Sequence, residues 1–294
     1  MAISSDDRDE GQSGASFLAA MLASQKRAIE SVAASAKAIA SASDAIAGRL
    51  RLGGRLIYVG AGSSALIAVQ DGAELPGTFG LEFERIVFLV AGGLGKIADI
   101  DSAAEDDIAG AGADIASLGP LERDIVIAVS ASGSTPYTLA RAKAARERGA
   151  IVIALANRSP SPLLHIADHP LLLDSGPEAL HGSTRLAAGT AQKCALGLLS
   201  TLAHASLGHV YRGHMVNVRP ENEKLRKRAA HIVARIAGVD EDAAGASLVS
   251  ARGDVKCAIL IAAGAGSRES AKALIDEADG HLGPALTRLQ PGAA

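Results

Sequence analysis

Asp124 to Tyr137 reads DIVIAVSASGSTPY, and its second half carries the residue types best suited to chemistry. Ser130, Ser132, Ser134 and Thr135 crowd hydroxyls around Gly133, and Pro136 stands where a helix can begin, because its missing N–H costs nothing in a first turn. Free N–H groups and the positive end of a helix attract an anion, and hydroxyls add donors. The loop holds no Lys and no GxxxxGK[ST] pattern, which argues against a nucleoside triphosphate and for a sugar phosphate. A second stretch, Gly60-Ala61-Gly62-Ser63-Ser64, has the same build. It opens like a dinucleotide fingerprint, but Ala65 occupies the third glycine position, so it reads as a second small-anion loop. Either loop alone is equally well explained as a Ser-rich connection with an ordinary helix cap. Together, Ser63, Ser64, Ser130, Ser132, Gly133, Ser134 and Thr135 are expected to converge on one anion, with Ser183 a further donor.

Both loops follow short apolar runs rich in β-branched residues, Arg55–Val59 and Ile125–Val129. Such runs suit strands buried on both faces of a parallel sheet. Ile86–Val90, Ile151–Ala156 and the weaker Pro170–Leu173 complete an expected α/β, doubly wound, mostly parallel five-stranded sheet, and helical stretches separate the strands. Ligands of such sheets bind beyond the carboxyl ends of the strands, where both Ser loops lie. Residues 15–50 are expected to form one long helix with an apolar stripe of Leu22, Ile29, Val32, Ala36, Ile39, Ile46 and Leu50. That stripe packs either on its own domain or as a dimer seam. Met1–Gly14 is expected to be disordered, and the acidic run Asp99–Gly110 to open a helix. The chain after Pro220 reads as helices broken at Gly238 and Gly264–Ser267. The division expected is 1–48 (tip and N-terminal helix), 49–222 (sheet domain) and 223–294 (small helical appendage).

Composition removes several classes of function. Aromatics are only 2% of 294 residues and Trp is absent, so there is no stacking platform for nucleic acid. A net charge of −3 gives no electrostatic case for nucleic acid or an anionic membrane. The polar, acidic N-terminus is not a signal peptide and no apolar run is long enough to span a bilayer, so a cytoplasmic protein is expected. Cys194 and Cys257 lack zinc-site spacing and read as reduced, buried thiols; no metal and no cofactor are expected.

Beyond these local readings, GRLIYVGAGSS, ELPGTFG, AEDD, ASGSTPY, GPEALHGSTRLAAGTAQK, LLSTLAH, ENEKLRKRA and DVKCAIL occur in one order between about Arg49 and Leu289. In that order they resemble the N-acetylmuramic acid 6-phosphate etherase family, whose sheet domain is a sugar isomerase (SIS) domain. The chain departs from the family pattern where GTSGRL has become GSSALI, where Ser134 replaces Arg, and where Ala187 replaces Lys. His181 stands where Thr is usual, and Gly197 and Gly213 where Asn is usual.

The resemblance implies a lyase that cleaves the D-lactyl ether of N-acetylmuramic acid 6-phosphate by elimination and water addition, giving N-acetylglucosamine 6-phosphate and D-lactate. It implies Glu74, in ELPGTFG, as the acid on the leaving oxygen, and Glu105, in AEDD, as the other acid/base and the C2 base. It brings Glu178, His181, Ser183 and Arg185 of GPEALHGSTR to the substrate, and it implies a homodimer with the site near the interface. From the residues alone, Glu105 reads as one more solvated charge of an acidic run, and Glu74 equally as a buried or loop-anchoring carboxylate. His181 is equally a solvated loop residue and Arg185 a structural ion-pair partner. Two alternatives accompany this reading: an isomerase-type enzyme on another amino-sugar phosphate, and a non-catalytic sugar-phosphate regulator.

Overall fold

The computed structural model describes residues 14–97 and 102–289. Two expectations fall partly outside these residues: disorder before Gly14, and the start of the acidic run at Asp99 and Asp101. Gly14 itself is the first residue of a helix.

The N-terminal helical stretch is two helices, α1 (Gly14–Ala34) and α2 (Ala36–Arg51), rather than one. The break at Ser35 has a long-range cause: its hydroxyl donates to the Leu172 carbonyl at 2.5 Å. The expected stripe is buried only in part. Val32, Ile39, Ile46 and Leu50 are buried, whereas Leu22, Ile29 and Ala36 are exposed.

The sheet elements follow: β1 (Leu56–Gly60), α3 (Gly62–Phe79), β2 (Ile86–Val90), α4 (Ala111–Ser117), β3 (Ile125–Val129), α5 (Pro136–Glu147), β4 (Ile151–Ala156), α6 (Pro162–Ile166) and β5 (His169–Leu172). Their order across the sheet is β2-β1-β3-β4-β5, with parallel ladders joining β1 to β3, β3 to β4 and β4 to β5. This is the doubly wound α/β fold that the alternation predicts. Register explains why the strands read as apolar throughout. Ile57, Val126 and Val152 lie side by side, as do Val59, Ala128 and Ala154, and these six pack under Tyr137, Ala142, Ala145 and Leu163 of α5 and α6. The intervening Tyr58, Ile127 and Ile153 point to the opposite face and are equally buried.

After β5 come α7 (Ala187–Ser206), a two-residue-per-strand hairpin of β6 (Val210–Tyr211) and β7 (His214–Met215), and then α8 (Glu223–Ala237), α9 (Glu241–Ser250), α10 (Val255–Leu260), α11 (Arg268–Glu277) and α12 (Leu282–Leu289). The hairpin has no counterpart in the sequence expectations, because two-residue strands leave no periodicity to detect. Caps mark the helix starts: Asn222, Asp240, Asp254 and Ser267 each accept from the N–H three residues on.

The chain packs as two compact units that interleave along the sequence. The first runs through Ala42 and includes Leu56–Gln70 and Val87–Leu198; the second comprises Ser43–Arg55, Asp71–Ile86 and the chain from Leu199 on. The second has its own core, in which Ile232, Val233, Ile259, Leu260 and Ala285 from the C-terminal helices close on Val216 and Val218. It also buries His204, which stacks on Phe79 at 4.5 Å, with the half-buried His209 beside it at 5.3 Å.

Burial, then the Lys256 charge, pushes His209 down to about 3. Folded His209 is therefore neutral where the unfolded chain begins to bind a proton, near pH 6.5. The unfolded state binds more protons below that pH, so stability is full above about 6.5 and falls as pH drops toward about 3. His209→Phe keeps a ring and removes the titration. Between about pH 7 and 5 the parent should lose about 1–2 kcal/mol more stability than this variant in urea titrations. Parallel losses in the two proteins would disprove the assignment.

Candidate active site

Because β1 and β3 are adjacent and parallel, with Gly60 level with Val129, the loops that follow them emerge side by side at the carboxyl edge of the sheet. The strand order reverses at this point, since the chain goes from β1 outward to β2 and from β3 the other way to β4. Such a switch point leaves a crevice between the two loops.

The loop after β3 is stitched by its own hydroxyls. Ser130 Oγ lies 2.8 Å from Thr135 Oγ1 and 3.4 Å from Ser132 Oγ, and it accepts the Gly133 N–H at 3.1 Å. Ser132 Oγ in turn accepts from the Ser134 N–H at 3.2 Å and from the Ser134 hydroxyl at 3.1 Å. Ser130 is buried, while Ser132 and Ser134 face solvent. Gly133 is required here. Its φ is +66°, and a Cβ would run into the Ser161 side chain that starts α6. Pro136 is the first helical residue of α5, as expected, and Thr135 before it makes no side-chain cap, so the hydroxyls are not closed over the helix end.

The first loop enters α3 at Gly62, with Ser63 and Ser64 in the first turn. Glu105, on a 3₁₀ turn over Ser102–Asp106, is half-buried rather than solvated: its Oε1 lies 2.6 Å from where a Gly62 Cβ would stand. A carboxylate therefore sits at the mouth of the first Ser loop, against Gly62, whose φ of +55° favours glycine. The acidic run does not open an α-helix at this point; among its described residues, 102–106 form the 3₁₀ turn.

Glu74 lies within α3 and is exposed, so it is neither buried nor in a loop. Despite Pro76, α3 runs on to Phe79 and stops only at Gly80. There φ is +68° and the N–H closes on the Pro76 carbonyl at 3.0 Å.

Glu178 has a definite task. Its two carboxylate oxygens accept the Ala187 and Ala188 N–H groups at 2.9 and 2.8 Å, which caps the start of α7. That helix end is thus occupied by a protein carboxylate, whereas the start of α5 has no side-chain cap. His181 and Arg185 lie exposed on the turn before α7, and Ser183 is half-buried there. Ala187, at the Lys position of the resemblance, is fully buried.

Sequence reasoning missed the polar network that holds this edge. Asn157, just past β4, donates to the Leu173 carbonyl at 2.9 Å and to Ser175 Oγ at 3.4 Å, and accepts from Gln192 of α7 at 2.9 Å. The signal was a lone Asn ending an apolar run, but its partners lie 16 and 35 residues away. Among the described residues no three His, Cys, Asp or Glu side chains group to hold a metal ion. No helix among them is long and apolar enough to cross a membrane.

SIS-domain family models match residues 16–157 and 116–202. The N-acetylmuramic acid 6-phosphate etherase of Deinococcus radiodurans is 44% identical over 266 residues, covering 90% of this chain and 87% of its own length. The protein of that name from Streptomyces avermitilis is 44% identical, covering 87% and 82%, and that from Rubrobacter xylanophilus 43%, covering 87% and 86%.

Ser130 is the hub of the hydroxyl loop, bonded to two other side chains and one backbone N–H. Ser130→Ala should weaken the binding of inorganic phosphate about tenfold, the scale of a lost bond to a charged group. ³¹P NMR titration measures it, and unchanged affinity would remove this loop from the anion site.

Proposed function

The chain belongs to the N-acetylmuramic acid 6-phosphate etherase family, and from that premise we propose how its own residues carry the reaction. The enzyme is a carbon–oxygen lyase that converts N-acetylmuramic acid 6-phosphate and water to N-acetylglucosamine 6-phosphate and D-lactate. The two Ser loops hold the phosphate. In the open-chain sugar the C1 aldehyde acidifies the C2 proton. Glu105 takes that proton, and Glu74 gives one to the C3 oxygen as the C3–O bond breaks and D-lactate leaves. Water then adds at C3 and a proton returns to C2. General acid–base chemistry of this kind needs two carboxyl groups in different protonation states. The observation that carries the reading is the Glu105 carboxylate against Gly62, beside the loop proposed to bind the phosphate. We place the reaction in the cytoplasm, where cell-wall amino sugars are broken down after uptake.

We also propose that the working form is a homodimer in which Glu74 serves the partner's site. Gly62 and Glu74 are twelve residues apart on α3, about 18 Å along a helix axis. A side chain does not span that distance, so the two carboxyl groups of one chain do not flank one sugar. The exposure of Glu74 fits this reading. So does the row of Leu18, Leu22 and Ile29 on one side of α1, with each side chain about half exposed in the single chain.

Glu74→Gln should abolish lactate release yet leave C2–H exchange in D₂O, whereas Glu105→Gln should depress both by about 10²–10⁴. Neither should weaken sugar-phosphate binding by a comparable factor. A parent protein that binds the sugar phosphate but shows neither lactate release nor exchange would favour the regulator instead. Mixing the two variants under subunit exchange should restore about a quarter of parental activity, because half the dimers then carry one intact pair. No restoration, or a monomer in sedimentation at micromolar concentration, would reject the shared site.

A further inference from the structure

Among the described residues, Arg141 is the largest fully buried side chain, although it carries a permanent charge. Burying a guanidinium costs several kcal/mol unless its donors are well matched. Here the matching is specific. Nε and Nη2 both donate to Asp114 Oδ2, at 2.9 and 2.6 Å. Nη2 also donates to Asp107 Oδ2 at 3.1 Å, and Nη1 to the Asp107 carbonyl at 2.8 Å. The guanidinium plane lies over the Tyr137 ring, 3.6 Å from its centroid. Asp107 is held on its other side as well, where Oδ1 accepts the Ala109 N–H at 3.1 Å.

The two ends of this clamp are both parts of the candidate site. Arg141 rises from α5, the helix that grows out of the Ser130–Thr135 loop, five residues after Pro136. Asp107 follows Glu105 by two residues, at the end of the 3₁₀ turn that carries it. A lysine has one point of charge and no fork, so it does not reproduce contacts to two carboxylates and a carbonyl at once.

We infer that Arg141 is a positioning residue: it fixes the Glu105 carboxyl against the first Ser loop by tying the segment 105–107 to the helix beneath the phosphate loop. The inference rests on the reading of Glu105 as the C2 base. The Arg141 guanidinium also holds the Asp107 carboxyl below its usual range, so this end of the clamp stays ionised at neutral pH.

A double-mutant cycle on the full-length protein tests it, with N-acetylmuramic acid 6-phosphate in D₂O and two readouts: the C2–H exchange rate at saturation and the dissociation constant. Arg141→Lys should slow exchange by about 10- to 100-fold, the scale of a displaced catalytic group, and change the dissociation constant less than about threefold. In the Glu105→Gln background the same substitution should cost nothing further. Equal loss in both backgrounds, or a matching loss of affinity, would show a structural role only and overturn the inference. If Glu105→Gln exchanges at the parental rate, the base assignment falls and takes the inference with it. If Arg141→Lys fails to melt cooperatively, Asp107→Ala takes its place in the cycle, because it removes the side-chain tie to the segment 105–107 while leaving Arg141 its Asp114 contacts, and the same two outcomes decide.

Discussion

The parallel pairing of β1 with β3 is the constraint on which the rest of this molecule depends. The register that sets Gly60 level with Val129 delivers two hydroxyl loops to the same edge at the same height. Neither loop is a convincing anion site alone. The reversal of strand order at that seam keeps helices from covering the gap between them. The other site features are referenced to this seam: Glu105 packs on the first residue of the helix after β1, and Arg141 reaches out from the helix after β3. A slip of β1 against β3 would separate the two loops and also turn a fully apolar strand pair out of register with its neighbours.

Around the seam, polar groups divide into those that close the edge and those left open. Asn157, Gln192 and Ser175 satisfy one another and the Leu173 carbonyl, which anchors the segment after β5 to α7. Glu178 saturates the start of α7. The hydroxyls of the loop after β3 bond chiefly to one another, at distances a ligand oxygen can compete with. A buried network with all partners in place is stiff, whereas the self-bonded hydroxyls that face solvent, Ser132 and Ser134, reorient cheaply. That contrast suits a rigid frame that grips an anion without first having to reorganise.

The strands, the two loops and the start of α5 were legible in the sequence because each is written locally, in apolar β-branched runs, small hydroxyl residues and a proline at a helix start. What failed to show was written at a distance. The helix break at Ser35 depends on a carbonyl 137 residues away, and the Asn157 network spans up to 35 residues. Glu74, which reads equally as a buried or loop-anchoring carboxylate, is exposed on a helix that tolerates Pro76 and ends at Gly80. Glu105 was visible only through the family resemblance. Its own neighbourhood is a run of acids, and its contact at Gly62 lies 43 residues away, from 62 to 105. Arg141 sits in a helix whose charges look like an ordinary solvated face, and nothing local marks it as buried.

The stacking of Arg141 on Tyr137 has an optical consequence. The chain has no tryptophan and only three tyrosines, so its near-ultraviolet signal comes from very few chromophores. Tyr58 is locked in the sheet beside Phe88, 5.7 Å away, and Tyr211 lies near Arg212, outside the sheet. Tyr137 has a cation 3.6 Å from its ring centroid and a buried setting that raises its phenol ionisation. Its absorption and circular dichroism bands between 270 and 290 nm, on the order of the range common to tyrosine rings held asymmetrically, report the packing of α5 against the segment carrying Glu105. The protein thus carries a label-free chromophore at the joint between its anion loop and its acidic turn.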